Sequence, residues 1–294
     1  MILIAGATGH LGTALVELLT LHGRRVRLLT RDPSRARRLL AKDHELVTGD
    51  VCKPPSLTSA LVGVETVVSA VTGFGPGGGG PRAVDLHGNE NLIAAAEAAE
   101  VKHFILVSMY GARPDHPLEL YRAKFFAEER LRKSRLAWTI IRPTVFMELW
   151  AGIVGDSLIK NGKATVFGRG DNPINLVSVR DVARFVEMAV VDPRLRGTTL
   201  DVGGPENLTL NDVVETLAAT SGRPATARHI SLTALRVGSL LMRPLKPDLA
   251  GLIRAAILMD TIDMSLDPGE LAAGYPEIAL THLADVVRGK YAHA

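Results

Sequence analysis

The hydrophobic positions in the first half of the chain follow two alternating patterns. Short continuous apolar runs predict buried strands, and between them apolar residues recur at the three- and four-residue spacing of a helix. The predicted strands cover residues 2–5, 26–30, 45–48, 66–71, 104–107 and 138–141, and the clearest helices cover 83–99 and 118–133, with a short one at 57–61. Strands that alternate with helices in this way indicate an α/β protein with a doubly wound parallel sheet.

The rhythm becomes irregular beyond Pro143. A helix is predicted over residues 148–160, a short strand over 164–167, an extended piece over 175–179 and a helix over 181–191. Residues 199–202 read as a strand that rejoins the sheet, and a mainly helical region starts at Leu210. The pattern therefore predicts one large sheet domain and a smaller second part.

The first predicted strand ends in three glycines spaced three apart, Gly6, Gly9 and Gly12. Glycines here allow a sharp turn, a close approach of the backbone to a pyrophosphate and tight packing of helix on strand. The phosphates would face a helix N-terminus, which favours negative charge. The contacts in this turn would be Gly6, Thr8, Gly9, His10, Leu11 and Gly12. A glycine-rich turn without a ligand gives the same pattern, so other residues must decide between the two.

Composition narrows the class of protein. The chain has 294 residues, 47% of them hydrophobic, and a formal charge of only +3. Its basic residues are scattered apart from the run 31–38, so we expect no nucleic-acid partner. One cysteine excludes an internal disulfide, and no cluster of His and Cys suggests a metal. Charged residues and prolines interrupt the apolar region 232–259. We therefore expect a cytoplasmic monomer or homodimer without a membrane partner.

Several short motifs together resemble a known family. They are Gly6-Ala-Thr-Gly-His-Leu-Gly12, Thr30-Arg31-Asp-Pro, Gly49-Asp50, Val107-Ser108, Ala123-Lys124, Ile141-Arg-Pro143, Val177-Ser-Val-Arg-Asp-Val-Ala183 and Gly203-Gly-Pro-Glu-Asn-Leu-Thr209. In this order they resemble the atypical short-chain dehydrogenase/reductases of the NmrA-like group, which includes isoflavone-type reductases. The resemblance implies a Rossmann-type, NAD(P)-binding domain of residues 1–146, with 176–203 returning to its sheet. Residues 147–175 and 204–294 would form a smaller, mainly helical substrate-covering domain.

Arg31 decides the predicted cofactor. It follows the second strand, where NAD-binding folds place an acidic residue on the ribose. A guanidinium instead pairs with a 2′-phosphate, so we predict NADP, with NADPH preferred over NADH and Arg35 as a second contact. In the alternative interpretation both arginines are solvated and Asp32 contacts the ribose. We interpret Asp32 as a helix N-cap, because Pro33 follows it.

The other cofactor contacts are implied by the resemblance. Asp50 and Val51 would meet the adenine, although Asp50 could instead cap a turn. The end of the fourth strand, Ala70, Val71 and Thr72, would follow the phosphates and ribose. The nicotinamide would face Pro143, Thr144, Val145 and Phe146.

The catalytic residues depart from the pattern of dehydrogenase relatives, in which Ser, Tyr and Lys act together and Tyr precedes Lys by four residues. Here Leu120 stands in that place, and Tyr121 lies three before Lys124. The isoflavone-type branch likewise keeps the lysine alone, so the resemblance implies Lys124 as a catalytic or ribose-binding residue. Ser108 and Tyr121 complete the predicted set, with Tyr110 and His116 as alternative proton donors.

A glycine-rich stretch, residues 72–81, predicts a lid that orders on a ligand or else a passive linker. The predicted substrate contacts are Phe74, Met109, Tyr110, Met147 and Trp150, although core packing explains such side chains as well. The sequence thus predicts an NADPH-dependent reductase of a small apolar conjugated or carbonyl compound, such as a quinone, enone or aromatic acceptor. The alternative is a non-catalytic NADP(H) sensor or assembly protein of the same group.

Overall fold

The computed structural model describes residues 1–40, 44–75, 77–161, 163–221 and 226–291. It divides into two compact units. The first comprises Met1–Pro143 and Val182–Val202, and the second comprises Thr144–Asp181 and Gly203–Ala294.

The elements alternate as the hydrophobic pattern predicts. The strands are β1 (Ile2–Ala5), β2 (Val26–Thr30), β3 (Glu45–Thr48), β4 (Thr66–Ser69), β5 (His103–Val107), β6 (Ala137–Pro143), β7 (Val145–Phe146), β8 (Ala164–Phe167), β9 (Ile174–Val177), β10 (Thr198–Val202), β11 (Glu206–Leu208) and β12 (Ala227–Ile230). The α-helices are α1 (His10–Leu21), α2 (Pro33–Leu39), α3 (Asn89–Ala98), α4 (Glu119–Arg132), α5 (Met147–Asn161), α6 (Val179–Val191), α7 (Leu210–Ser221), α8 (Leu232–Met242), α9 (Pro247–Met259), α10 (Pro268–Gly274) and α11 (Leu283–Tyr291).

The first unit is built on a seven-stranded parallel sheet in the order β10-β6-β5-β4-β1-β2-β3. All five residues of β5 are buried, as expected for a central strand covered by helices on both faces. The predicted Rossmann-type α/β fold is therefore confirmed. The chain builds outward from β1 to β3 and then continues from β4 on the other side of β1, so β1 and β4 flank the point where ligands bind in such sheets.

The second unit has two small sheets, β11-β9-β7 and β12-β8, and carries helices α5 and α7 to α11. Its core is apolar and includes Val154, Leu176 and Val213. The segment predicted to return to the large sheet begins at residue 176, but β9, which includes residues 176 and 177, pairs with β7 and β11 instead. The buried amide of Asn175 bonds to the backbone of Gly204, which ties β9 to this unit. Of the returning segment, β10 joins the seven-stranded sheet.

Two of the predicted helices contain 3₁₀ or π-helical turns instead of being α-helical throughout. The short helix predicted at 57–61 is a 3₁₀ turn, Ser59–Leu61, which follows another 3₁₀ turn at Pro54–Ser56. The helix predicted over 83–99 begins as a π-helical segment, Arg82–Gly88, before it continues as α3. Such π-helical segments often occur at functional sites. This one places Asp85 in the interior of the first unit, where it is fully buried.

Residues 232–259, the longest apolar region, fold as α8 and α9 with a turn between them. In the described part of the chain, no helix has both the length and the hydropathy that a membrane crossing requires.

Candidate functional site

The turn after β1 requires glycine at two of its three glycine positions. Gly6 has a φ of +89°, and a Cβ on it would lie 2.5 Å from the carbonyl oxygen of Ala70. A Cβ on Gly12 would lie 2.1 Å from the carbonyl oxygen of Gly6. Both contacts are shorter than any real Cβ contact, so a side chain at either position would force the strand and helix apart.

The third glycine leaves the N-terminus of α1 open. Gly9 is the N-cap, no side chain caps the helix, and its first turn holds no acidic residue. A Cβ on Gly9 would meet only the carbonyl oxygen of Gly6, at 3.4 Å. Unpaired N–H groups and the positive helix end favour an anion at such a place. The turn therefore fits a pyrophosphate, with Thr8 half-buried and His10 exposed beside it, and with Leu11 buried in the core.

Arg31, directly after β2, and Arg35, in the first turn of α2, are both exposed. Asp32 is the N-cap of α2, because its Oδ1 accepts a hydrogen bond from the N–H of Arg35 at 2.9 Å. The capping interpretation of Asp32 is confirmed, and this carboxylate oxygen has a local partner. The two guanidinium groups therefore give the carboxyl end of β2 a positive charge that suits a phosphate.

The turn after β3 lies within electrostatic reach of Arg31. Asp50 Oδ1 accepts a hydrogen bond from the N–H of Cys52 at 3.0 Å, so this carboxylate caps its own turn. Partial burial and Asp50 raise the pKa of the Cys52 thiol, and the nearby Arg31 acts in the opposite direction. Val51 is buried, and its carbonyl accepts a hydrogen bond from Asn91. Asp50 and Val51 thus lie at the predicted edge, with the capping alternative for Asp50 realised.

Lys124 is buried, and its ammonium group is fully engaged. Its Nζ donates to the carbonyl oxygens of Val71 at 2.9 Å and Val107 at 3.0 Å, which follow β4 and end β5. It also lies 3.0 Å from Oδ1 of the fully buried Asp85. Among the described residues no group donates an aligned hydrogen bond to that oxygen, so the Lys124 charge is what compensates it. Lys124 therefore joins the ends of two strands to the π-helical segment.

Ser108 is also committed to a buried network. Its hydroxyl donates to Oε1 of Glu128, and Glu128 is held by Arg142 on β6 and by Arg132 on its own helix. Glu128 is fully buried, and the hydrogen bonds that Arg142 donates to it raise the pKa of Arg142. In this geometry the Ser108 hydroxyl is held by an internal hydrogen bond to a carboxylate, and its catalytic role stays a prediction.

The predicted proton donor Tyr121 is buried as well. Its ring stacks on His116 with 3.9 Å between the centroids, and burial raises its pKa to about 12. Burial also lowers the pKa of His116. A phenol with so high a pKa is a poor acid at neutral pH. Tyr110 and Met109 are half-buried just after β5, and the N–H of Tyr110 donates to the carbonyl oxygen of Pro143 at 2.9 Å.

The residues predicted around the nicotinamide fall in both units. Pro143 ends β6 in the first unit, whereas Thr144, Val145 and Phe146 belong to the second. The Thr144 hydroxyl donates to Asn175, and Val145 and Phe146 are half-buried.

Two predicted substrate contacts need correction. Met147 is 0% exposed and Trp150 is 6% exposed, and both pack in the apolar core of the second unit. The ring of Trp150 lies edge-on to Phe167. These side chains are in the core because they are apolar residues on the buried face of α5, so they do not contact a substrate from this position.

The glycine-rich loop has a fixed base. The N–H of Gly73 donates to Oδ2 of Asp85 at 2.7 Å, and the N–H of Gly80 donates to the carbonyl of Gly73 at 3.1 Å. A Cβ on Gly73 would lie 2.2 Å from the Gly80 oxygen. Beyond this base, Phe74 is half-buried and Thr72 is exposed, while Ala70 continues the β4 ladder towards β1.

Asp85 and Glu128 are the two important residues that the sequence analysis missed. Each lies far along the chain from the residue it serves, so no local motif connects them. Acidic residues on the buried face of a helix were the available signal, because a fully buried carboxylate requires a cationic partner.

Comparison with known proteins also indicates that the chain binds NAD(P)H. Residues 6–193 match a family model described as NAD(P)H-binding. The chain is 31% identical to an NAD(P)H azoreductase of Xenophilus azovorans over 79% of this chain and 77% of that protein. It is 28% identical to a photosystem II assembly factor of Synechocystis over 80% of this chain and 72% of that protein.

The fold also matches a solved structure. An NADPH-dependent quinone oxidoreductase from Escherichia coli, crystallised with NADPH, superposes with a TM-score of 0.79 at 24% identity. The match covers 98% of this chain and 99% of the other. At this identity the likeness concerns the architecture alone.

Proposed function

Because the chain belongs to the NAD(P)H-binding family, whose model spans most of its length, we propose that it is an NADPH-dependent reductase. It transfers hydride to a small apolar acceptor with a conjugated or carbonyl group, such as a quinone, enone or aromatic compound. The azoreductase relative supports a reductase of aromatic acceptors. The observation that carries the proposal is the open N-terminus of α1 above three glycines, with Arg31 exposed at the neighbouring strand end.

The preference for NADPH rests on Arg31 and Arg35. Both guanidinium groups are exposed near the place where the adenosine ribose binds a Rossmann-type sheet. One carboxylate oxygen of Asp32 accepts the hydrogen bond that caps α2. A 2′-phosphate would receive charged hydrogen bonds from Arg31, whereas the bare ribose of NADH would not.

The proposed reduction does not require a side chain that acts as a strong acid. Bound NADPH supplies the hydride, and a proton must follow to the acceptor. The hydroxyl of Ser108 and the ammonium of Lys124 are held by buried carboxylates, and Tyr121 has a raised pKa. Lys124 instead holds the carbonyls of Val71 and Val107 in place. Acceptors in which hydride adds to a conjugated system suit this site, because water or the half-exposed Tyr110 can supply the proton.

We assign the dinucleotide to the first unit and the substrate-covering role expected of the smaller domain to the second. Phe74 and the glycine-rich loop keep their proposed role as a lid. A cytoplasmic monomer or homodimer remains part of the proposal.

The test is loss of reduced-cofactor absorbance with a panel of quinones, enones, azo dyes and cationic aromatic dyes. The protein should oxidise NADPH faster than NADH with at least one acceptor, and Arg31→Ala should remove most of that difference. Turnover with neither cofactor on any acceptor would contradict the reductase.

One observation favours a second candidate, a non-catalytic dinucleotide sensor or assembly protein. The three predicted catalytic side chains are all buried, and the Synechocystis relative is one of several that are named as photosystem II assembly factors. A sensor must distinguish the oxidation state of its cofactor. Calorimetric affinities that differ between NADP and NADPH, without turnover across the panel, would favour the sensor over the enzyme.

A further inference from the structure

The turn between α8 and α9 exposes an unusual amount of aliphatic surface. Eleven large hydrophobic side chains are exposed in the described part of the chain, and five of them lie within residues 237–249. They are Val237, Leu240, Leu241, Leu245 and Leu249, with exposed fractions of 52%, 70%, 62%, 77% and 37%. We call these five side chains the leucine tip. A concentration of this kind on a soluble surface marks an interaction site.

The leucine tip is held rigidly. Val237, Leu240 and Leu241 share one face of α8 by helical spacing, whereas Leu235 and Ser239 are buried on another. The hydroxyl of Ser239 donates to the carbonyl of Ala250 at 3.3 Å, which joins α8 to α9.

Backbone hydrogen bonds close the turn itself. The N–H groups of Leu245 and Lys246 both donate to the carbonyl of Met242, at 3.1 and 2.7 Å. Pro244 and Pro247 further restrict the turn. The exposed leucines are therefore a fixed feature of the turn, which limits the entropy lost when they are covered.

The charges around the tip select its partner. Residues 231–259 contain four basic residues and one acidic residue, and Arg236, Arg243 and Lys246 are exposed beside the leucines. The acidic residue, Asp248, lies in the first turn of α9, where the helix end favours it. An anionic surface complements this arrangement. In a two-fold contact with a second copy, the same basic groups would oppose one another.

The composition of the tip favours lipid over protein. Residues 237–249 contain no Phe, Tyr or Trp, the side chains that anchor most protein interfaces. Leucines flanked by Arg and Lys are typical of segments that lie in the bilayer interface, with the apolar groups among the acyl chains and the charges at the headgroups. We propose that the leucine tip docks this protein on anionic membrane surfaces. The expectation of no membrane partner rested on the lack of a spanning segment, which surface binding does not need.

Vesicle sedimentation tests this proposal. The full chain should sediment with vesicles of phosphatidylglycerol and phosphatidylcholine, and much less with phosphatidylcholine alone. Arg243→Gln with Lys246→Gln should weaken binding by about five-fold for each lost charge at low salt. Leu240→Ser, Leu241→Ser and Leu245→Ser together should abolish binding. Leu21→Ser, at a 75% exposed leucine of the first unit, is the matched control and should bind like the unchanged protein.

Three results would overturn the proposal. Two of them are the absence of binding to anionic vesicles and binding that the tip substitutions leave unchanged. The third is a dimer in light scattering that the leucine substitutions dissociate, without vesicle binding, which would assign the surface to a second copy. All substituted side chains are exposed, so a thermal unfolding curve matching the unchanged protein verifies that each variant is folded.

Discussion

The two halves of the sheet's carboxyl edge differ in whether their polar residues are exposed or buried. From β1 to β3 the edge is open, with an uncapped helix N-terminus and two exposed arginines. From β4 to β6 it is closed, because Lys124 and Ser108 are buried against the carboxylates of Asp85 and Glu128. The open half is suited to bind charge, whereas the closed half holds its charges within the protein.

The same residue types can bind a ligand or stabilise the fold, and a family motif alone does not distinguish the two. A lysine and a serine at the family's positions suggest a proton relay. Here Lys124 holds the carbonyls that follow β4 and end β5, and Ser108 donates to Glu128 on α4. Braced strand ends give a fixed edge against which a cofactor and acceptor can be placed, and the proton then has to come from elsewhere. Three experiments test the contrast between the open and the closed half, and a fourth tests the opposite edge of the sheet.

The largest effect is expected from opening the closed half. Lys124→Met leaves Asp85 buried without its cation, so the free energy of unfolding should fall by about 3–5 kcal/mol in urea titrations. The double variant Lys124→Met, Asp85→Leu is the control, and it should recover much of the loss because neither charge remains. A Lys124→Met protein of unchanged stability, with turnover abolished, would restore Lys124 to a catalytic role.

A substitution in the open half should change the affinity for the cofactor. Arg31→Ala should weaken NADPH by about 1.5–3 kcal/mol and leave NADH nearly unchanged, because only NADPH offers a 2′-phosphate. Calorimetric titration with both cofactors measures this. Arg37→Ala, an exposed arginine further along α2, is the matched control. Equal affinities of the unchanged protein for NADPH and NADH would remove Arg31 from the site.

Local and long-range constraints explain how much the sequence could predict. The glycine turn and the Asp32 cap were predictable because each is decided by neighbours within a few residues. Asp85 pairs with Lys124 across 39 positions and Glu128 with Ser108 across 20, so only the fold brings them together. Met147 and Trp150 were misassigned because an apolar side chain has the same sequence signature in a core as in a pocket.

A pH experiment tests how completely the amino end of β5, at the edge of the sheet opposite the closed half, is shielded from water. His103 on β5 is buried, and burial lowers its pKa to about 4 from 6.5. The unfolded chain therefore takes up the proton first as the pH falls below 6.5, and stability is lost towards pH 4. Between pH 7.5 and 5 the loss from this group should be about 2 kcal/mol. In urea titrations His103→Gln should reduce the pH dependence by that amount, and an unchanged dependence would mean that His103 is protonated in the folded protein.

The smallest effect is expected at Tyr121. Tyr121→Phe should change kcat less than about two-fold, since a phenol with a pKa of about 12 is not the proton donor. Tyr110→Phe is the comparison, because that side chain is half-exposed. A loss of about a hundred-fold in Tyr121→Phe with unchanged stability would return the proton relay to Tyr121.

Isotope tracing shows whether hydride passes from NADPH to an apolar acceptor. NADPH deuterated at the transferring position of the nicotinamide is incubated with the protein and an enone, and the product is analysed by mass spectrometry. The reduced product should carry one deuterium on carbon, and none when unlabelled NADPH is used in ordinary water. Cofactor that stays reduced, or reduced product that never carries the label from either face of the nicotinamide, would contradict the account.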